Sequence, residues 1–111
     1  MRPADHATAL RIAANHASLA GHFPGQPIVP GVVLLDCVLQ EAERWLQRPL
    51  HVLALAHAKF TAPLLPEQTA QLQLKLEAGK LRFSVNRDEA TIAQGLFLIA
   101  ADSAHPGVDA A

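Results

Sequence analysis

Cysteine, net charge and long apolar runs are all scarce in this sequence. Its single cysteine, Cys37, excludes an intramolecular disulfide and any thiolate metal cluster. It is compatible with a reducing compartment. Charged residues make up only 17% of the chain and nearly cancel, leaving a formal net charge of −1. That balance gives no reason to invoke nucleic acid or an anionic membrane as a partner. No stretch reaches the roughly 18 uninterrupted apolar residues that a membrane span needs. Met1-Arg2-Pro3-Ala4-Asp5-His6 has no apolar run after its arginine, so no signal peptide is expected and the expected location is the cytoplasm.

What the sequence does hold is apolar surface. Half of its 111 residues are hydrophobic, enough for one domain with a single core and an interface besides. Residues 1–103 read as that domain and 104–111 as a loose tail with little to bury.

One stretch is constrained far beyond the rest. Gly21-His22-Phe23-Pro24-Gly25-Gln26-Pro27-Ile28-Val29-Pro30-Gly31 sets three prolines and three glycines around one histidine. Proline fixes φ, while glycine permits conformations and close approaches closed to other residues. A rigid loop that presents one imidazole and then opens a helix reads as a site.

Taken in order, Thr8 to Ala14 alternate, with Leu10 and Ile12 on one face, and predict a short strand. From Val32 to about Gln47 the period becomes helical, through Val32, Leu35, Val38 or Leu39, Ala42 and Leu46. Val33, Leu34 and Cys37 make the first half apolar nearly all round, so burial on most sides is expected. After Pro49 the pattern is strand. Leu50 to Thr61 leads into a Pro63–Pro66 turn, and Gln71 to Glu77 alternates strictly. Ala78-Gly79-Lys80 turns the chain into Leu81 to Arg87, forming a hairpin. Asp88-Glu89 turns it again into Thr91 to Ala100, where Gly95 marks a bulge or close contact. One early helix followed by antiparallel strands gives the α+β class.

The constrained stretch resembles the H-F-P-G-x-P-x-x-P-G-V signature of the FabA/FabZ β-hydroxyacyl-acyl-carrier-protein dehydratases. The matching residues are His22, Phe23, Pro24, Gly25, Pro27, Pro30, Gly31 and Val32, followed by Asp36 and Gln40 on the helix. Lys59-Phe60-Thr61-Ala62-Pro63-Leu64-Leu65-Pro66 resembles the family's K-F-x-x-P-V-x-P-G-D turn. The resemblance implies a hotdog fold, a curved antiparallel sheet wrapped around one long central helix. It also implies a homodimer with two sites, each pairing the histidine of one chain with the acidic residue of the other. Aspartate at position 36 is the FabA-branch residue, where the FabZ branch has glutamate. The short chain resembles members found in aryl-polyene and other polyketide-like clusters.

Dehydration of a 3-hydroxyacyl thioester needs a base for the α proton, stabilisation of the enolate-like oxygen, and an acid for the leaving hydroxyl. The resemblance assigns the base to His22, flanked by Phe23, and the acid to Asp36. Burial of Asp36 on an apolar helix face would raise its pKa enough to hold that proton. Gly31, beside Pro30 at the helix start, offers an uncapped N–H with no side chain blocking the approach. Gln40, one turn beyond Asp36, can orient its carboxyl. No cofactor is expected, the substrate being carried on the phosphopantetheine of an acyl carrier protein or on coenzyme A.

Two rivals belong to other classes: a hotdog thioesterase, and a non-catalytic acyl-thioester-binding subunit of a heteromer. Cys37 reads as a packing residue, and Trp45 and Leu46 as core or interface. His6, His16, His51, His57 and His105 lack ligand spacing. His57 and Lys59 read as solvent-facing. Arg44, Arg48, Arg82 and Arg87 read as a wet face, with contact to the phosphopantetheine or an acidic carrier protein as the alternative.

Overall fold

A computed structural model describes residues 4–13 and 28–100. The elements are β1 (Ala4–Arg11), α1 (Gly31–Leu46), β2 (Val52–Phe60), β3 (Thr69–Glu77), β4 (Lys80–Arg87) and β5 (Ala90–Ile99). All strand pairings are antiparallel, in the order β1-β3-β4-β5-β2. Among the described strands, β1 and β2 are therefore the edges.

Alternation in β3 and β4 decides which face is dry. Ala70, Leu72 and Leu74 on β3, with Leu81, Phe83 and Val85 on β4, are all buried. Gln71, Gln73, Lys75 and Arg82 face outward and are exposed. Against the dry face packs α1, through Val33, Leu34, Val38 and Ala42, and helix and sheet share one core. Phe83 and Phe97 meet in that core with ring centroids 5.5 Å apart, a separation at which tilted rings attract. One helix laid in the hollow of an antiparallel sheet is the hotdog fold.

Gly95 is a close-contact point, not a bulge. A Cβ there would lie 2.5 Å from the His57 carbonyl and 2.7 Å from the Phe83 ring. The irregularities lie elsewhere, on β2 between Val52 and Ala54 and between Leu55 and His57, and in the β4–β5 pairing between Val85 and Asn86.

Two sequence expectations need correction. The first strand begins at Ala4 and ends at Arg11, pairing Ala4 with Leu76 through Arg11 with Thr69. Leu10 and Ile12 are buried as the alternation implied, but polar His6 and Thr8 on the same face hid the earlier half. The second concerns α1, whose buried stripe is 33/34/38/42; Val32 is 72% exposed. Val32, Asp36 and Gln40, each four residues from the next, form one exposed face. The helix is thus buried by its own sheet on one side only.

Candidate active site

Five backbone and side-chain anchors build the region around the start of α1. The Val29 N–H donates to the Leu64 carbonyl at 2.8 Å, tying the segment before the helix to the turn after β2. Thr61 fixes that turn in place: its N–H donates to Ile92 O at 2.9 Å and its hydroxyl to Thr91 O at 2.6 Å. The Pro30 carbonyl accepts from Val33 and Leu34 at 3.0 and 3.1 Å, closing the first helical turn.

Pro30 stands at the N-cap, where no side chain caps the helix, and the first turn holds no acidic residue. The Gly31 and Val32 N–H groups have no partner among the described residues. Two unmet donors at the positive end of a sixteen-residue helix can receive an oxygen that gains negative charge.

Asp36 lies just over one turn further along. Gln40 Nε2 donates to Asp36 Oδ2 at 2.8 Å, the pairing that i,i+4 spacing permits. That bond fixes the carboxyl's orientation, and among the described residues Oδ1 has no partner. Both residues are exposed in the single chain. The desolvation expected around Asp36 is therefore not supplied by the described residues of its own chain. Next to it, burial first and the Asp36 carboxylate second push the Cys37 thiol up. A raised thiol is poorly nucleophilic at neutral pH, which fits its packing against the core.

Gly31 departs from expectation in one respect. The space a Cβ would fill is taken by the Phe60 ring, whose Cζ lies 3.0 Å from that point. Glycine is needed there to admit the ring rather than to leave an open approach. Phe60 and Gly31 then share the wall of a cleft of about 610 Å³, lined also by Ile28, Leu34, Leu64 and Ile92. Phe60 is 47% exposed and Ile28 43%, so the cleft is apolar and open to one side.

Of the six residues singled out from sequence, Pro30, Gly31, Asp36 and Gln40 come together on α1 and its cap. His22 and Phe23 lie outside the described residues. Sequence reasoning missed Phe60 as a site residue, although it stands in the K-F turn. Strand alternation was the available signal, since it sends Lys59 and Phe60 to opposite faces.

The ApeI-like family, described as ApeI dehydratase, matches residues 2–96. The chain belongs to that family. Among curated proteins, the chain is similar to the 3-hydroxyacyl-[acyl-carrier-protein] dehydratase FabZ of Chloroflexus aggregans, with 33% identity over 77% of this chain and 64% of that protein. Similarity to FabZ of Latilactobacillus sakei is 30% over 73% of this chain and 63% of the relative. The chain thus spans a little under two thirds of the length of these relatives. Among solved structures, it is similar to the dehydratase heterocomplex ApeI:P from Xenorhabdus doucetiae. That likeness has a TM-score of 0.74 at 27% identity, covering 90% of this chain and 99% of that one. An uncharacterized protein of Erwinia carotovora subsp. atroseptica is similar at TM-score 0.73 and 29% identity, over 88% of this chain and 84% of the other.

Within the described residues, no helix is long and apolar enough to cross a membrane. Among those residues no group of three or more His, Cys, Asp or Glu side chains is placed to hold a metal ion.

Proposed function

We propose that this protein dehydrates a 3-hydroxyacyl thioester to the trans-2-enoyl thioester and water. The observation that carries the reading is the start of α1. Two N–H groups without a partner among the described residues stand just over one turn from a carboxyl oriented by Gln40, beside an apolar cleft. In this reading the thioester oxygen accepts a hydrogen bond from the Gly31 N–H. His22 takes the proton from the α carbon, and the electron pair left behind is delocalised onto that oxygen. Collapse of the enolate forms the double bond and expels the β-hydroxyl, which takes a proton from the Asp36 carboxylic acid and leaves as water. Proton return from His22 to Asp36 through solvent closes the cycle. The acyl chain lies along Phe60, Ile28 and Leu34.

Asp36 must be protonated to serve as the acid, and the described residues of its own chain leave it exposed. A second subunit supplies the missing cover. The Asp36 face carries the exposed Val32, and the unpaired edge β2 exposes Leu53 and Leu55. Pairing of two chains through these surfaces buries Asp36 and brings His22 of one chain to Asp36 of the other. The similarity to a dehydratase heterocomplex favours a second version of this assembly, in which the partner is a related but different subunit.

The test is ultraviolet absorbance of the protein mixed with 3-hydroxyacyl thioesters of several lengths, with thiol release followed in parallel. Growth of the enoyl-thioester band, lost in both His22→Ala and Asp36→Ala, supports the dehydratase. Thiol release without that band means a thioesterase. Silence on both channels, alone and with a related subunit, leaves only binding.

A further inference from the structure

The segment that carries His22 links the end of β1 to the start of α1, and the chain on either side of it is bonded to one turn. Where the chain leaves β1, the Ile12 carbonyl accepts a hydrogen bond from the Glu67 N–H at 2.8 Å. Where it comes back, the Val29 N–H donates to the Leu64 carbonyl, also at 2.8 Å. Leu64 and Glu67 are three residues apart, so their Cα atoms lie within about 11 Å of each other. Ile12, Val29 and Leu64 are all buried in the common core.

That turn is itself braced at both ends. Thr61 ties its start to β5 through Thr91 and Ile92. At its end Gln68 closes on Leu65 twice. The Gln68 N–H donates to the Leu65 carbonyl at 3.2 Å, and the Leu65 N–H donates to Gln68 Oε1 at 3.1 Å. Pro63 and Pro66 fix φ within it.

Glu67 is the irregular member. Its φ of 73° lies in the left-handed region, which disfavours any residue with a Cβ. The K-F-x-x-P-V-x-P-G-D signature has glycine at this point, the residue that takes such a conformation without strain. This chain keeps the conformation and adds a carboxylate, which accepts from the Arg11 guanidinium at the last position of β1. Backbone and side chain of Glu67 thus hold two consecutive residues, Ile12 and Arg11, where the chain departs toward His22. Both partners of the ion pair are half-exposed, and such a pair contributes little to global stability. Stability therefore does not account for a strained residue here.

We propose that Glu67 and Arg11 are positioning residues for the dehydration, setting where the segment that carries the base leaves the sheet. The proposal rests on the dehydratase reading, with His22 as that base. Proton abstraction needs close alignment, and a misplacement of about 1 Å can cost on the order of 100-fold in rate. The same turn also seats the residue before Pro30-Gly31 through Val29, so it registers the base-bearing segment against the Gly31 N–H. Neither Arg11 nor Glu67 lines the apolar cleft. Loss of their pair therefore lowers turnover and spares binding of the acyl chain.

The experiment measures steady-state kinetics on one 3-hydroxyacyl thioester, with thermal unfolding in parallel. Glu67→Gly removes the carboxylate and relieves the backbone, so its unfolding midpoint should not fall. Its kcat should fall at least fivefold, with KM within twofold of the wild type. Arg11→Gln should lose as much, while Arg11→Lys, which keeps the charge, should retain at least half of kcat. The swapped pair Arg11→Glu/Glu67→Arg should recover most of what Arg11→Glu alone loses. An unchanged kcat in Glu67→Gly overturns the proposal. So does a loss carried by KM alone, or one that follows a lowered unfolding midpoint and that the swap does not restore. If the wild type dehydrates no thioester, the dehydratase reading fails. The hold on Ile12 is then judged by amide hydrogen exchange at Glu67. Exchange at least fivefold faster in Arg11→Gln supports the anchoring, and an unchanged rate removes it as well.

Discussion

The β3–β4–β5 region and the α1–β2 region are finished differently. In β3 and β4 every second side chain is buried, and the polar ones between them are wet. That region is complete within one chain. In β2, residues 53–57 are all exposed, Leu53 and Leu55 among them. The adjoining face of α1 presents Val32 beside Asp36 and Gln40. An unpaired edge strand with apolar side chains is a liability unless something covers it. Stability lives in the first region, and function waits on what covers the second.

The comparison breaks most sharply at Asp36. Asp36→Asn keeps the size of the side chain but removes the acid, so enoyl formation should fall by about 10²–10⁴-fold, a usual range for a general acid. Thermal unfolding should barely move, because asparagine can still accept the Gln40 hydrogen bond and adds no charge to the subunit contact. A loss of stability as large as the loss of activity would put Asp36 in the first region instead. Next is the edge. Leu53→Asp places a charge in the proposed subunit contact and should weaken self-association by roughly 100-fold, measured by sedimentation equilibrium. Secondary structure should survive. An unchanged association constant would remove β2 from the interface.

The self-contained region is probed by smaller changes. Gly95→Ala drives a methyl into the His57 carbonyl and the Phe83 ring, and should cost about 1–3 kcal/mol in a denaturant titration. At the β3–β4 turn, Ala78 has φ of 54°, a left-handed conformation that costs a non-glycine residue about 1–2 kcal/mol. Ala78→Gly should therefore stabilise by up to about 1 kcal/mol, partly offset by greater freedom of the unfolded chain.

The self-contained region was also the more legible in sequence. Strict alternation from Gln71 to Glu77 and from Leu81 to Arg87 could be satisfied only by a half-buried hairpin, and the strands lie there. The start of α1 was legible for a different reason: Pro30-Gly31 ends a constrained loop where a helical period begins. Which face of α1 is buried was not legible. Val32, Val33, Leu34 and Leu35 are all apolar, so periodicity cannot say which of them the sheet covers and which it leaves for a partner. Phe60 escaped notice because alternation along β2 gives only its face, while its role depends on contact with Gly31 across 29 residues of chain. Asp36 and Gln40 were legible as a pair because their spacing alone brings them together.

The central claim is that each site is shared between two chains, and one mixing experiment addresses it. His22→Ala and Asp36→Ala, each inactive alone, are co-denatured and refolded together so that subunits exchange. A mixed dimer then holds one site with both substitutions and one with neither. The account predicts recovery to about a quarter of wild-type activity at equal concentrations, since half the dimers are mixed and each has one intact site. Complete exchange with no recovered activity would contradict it and place both residues of each site in a single chain.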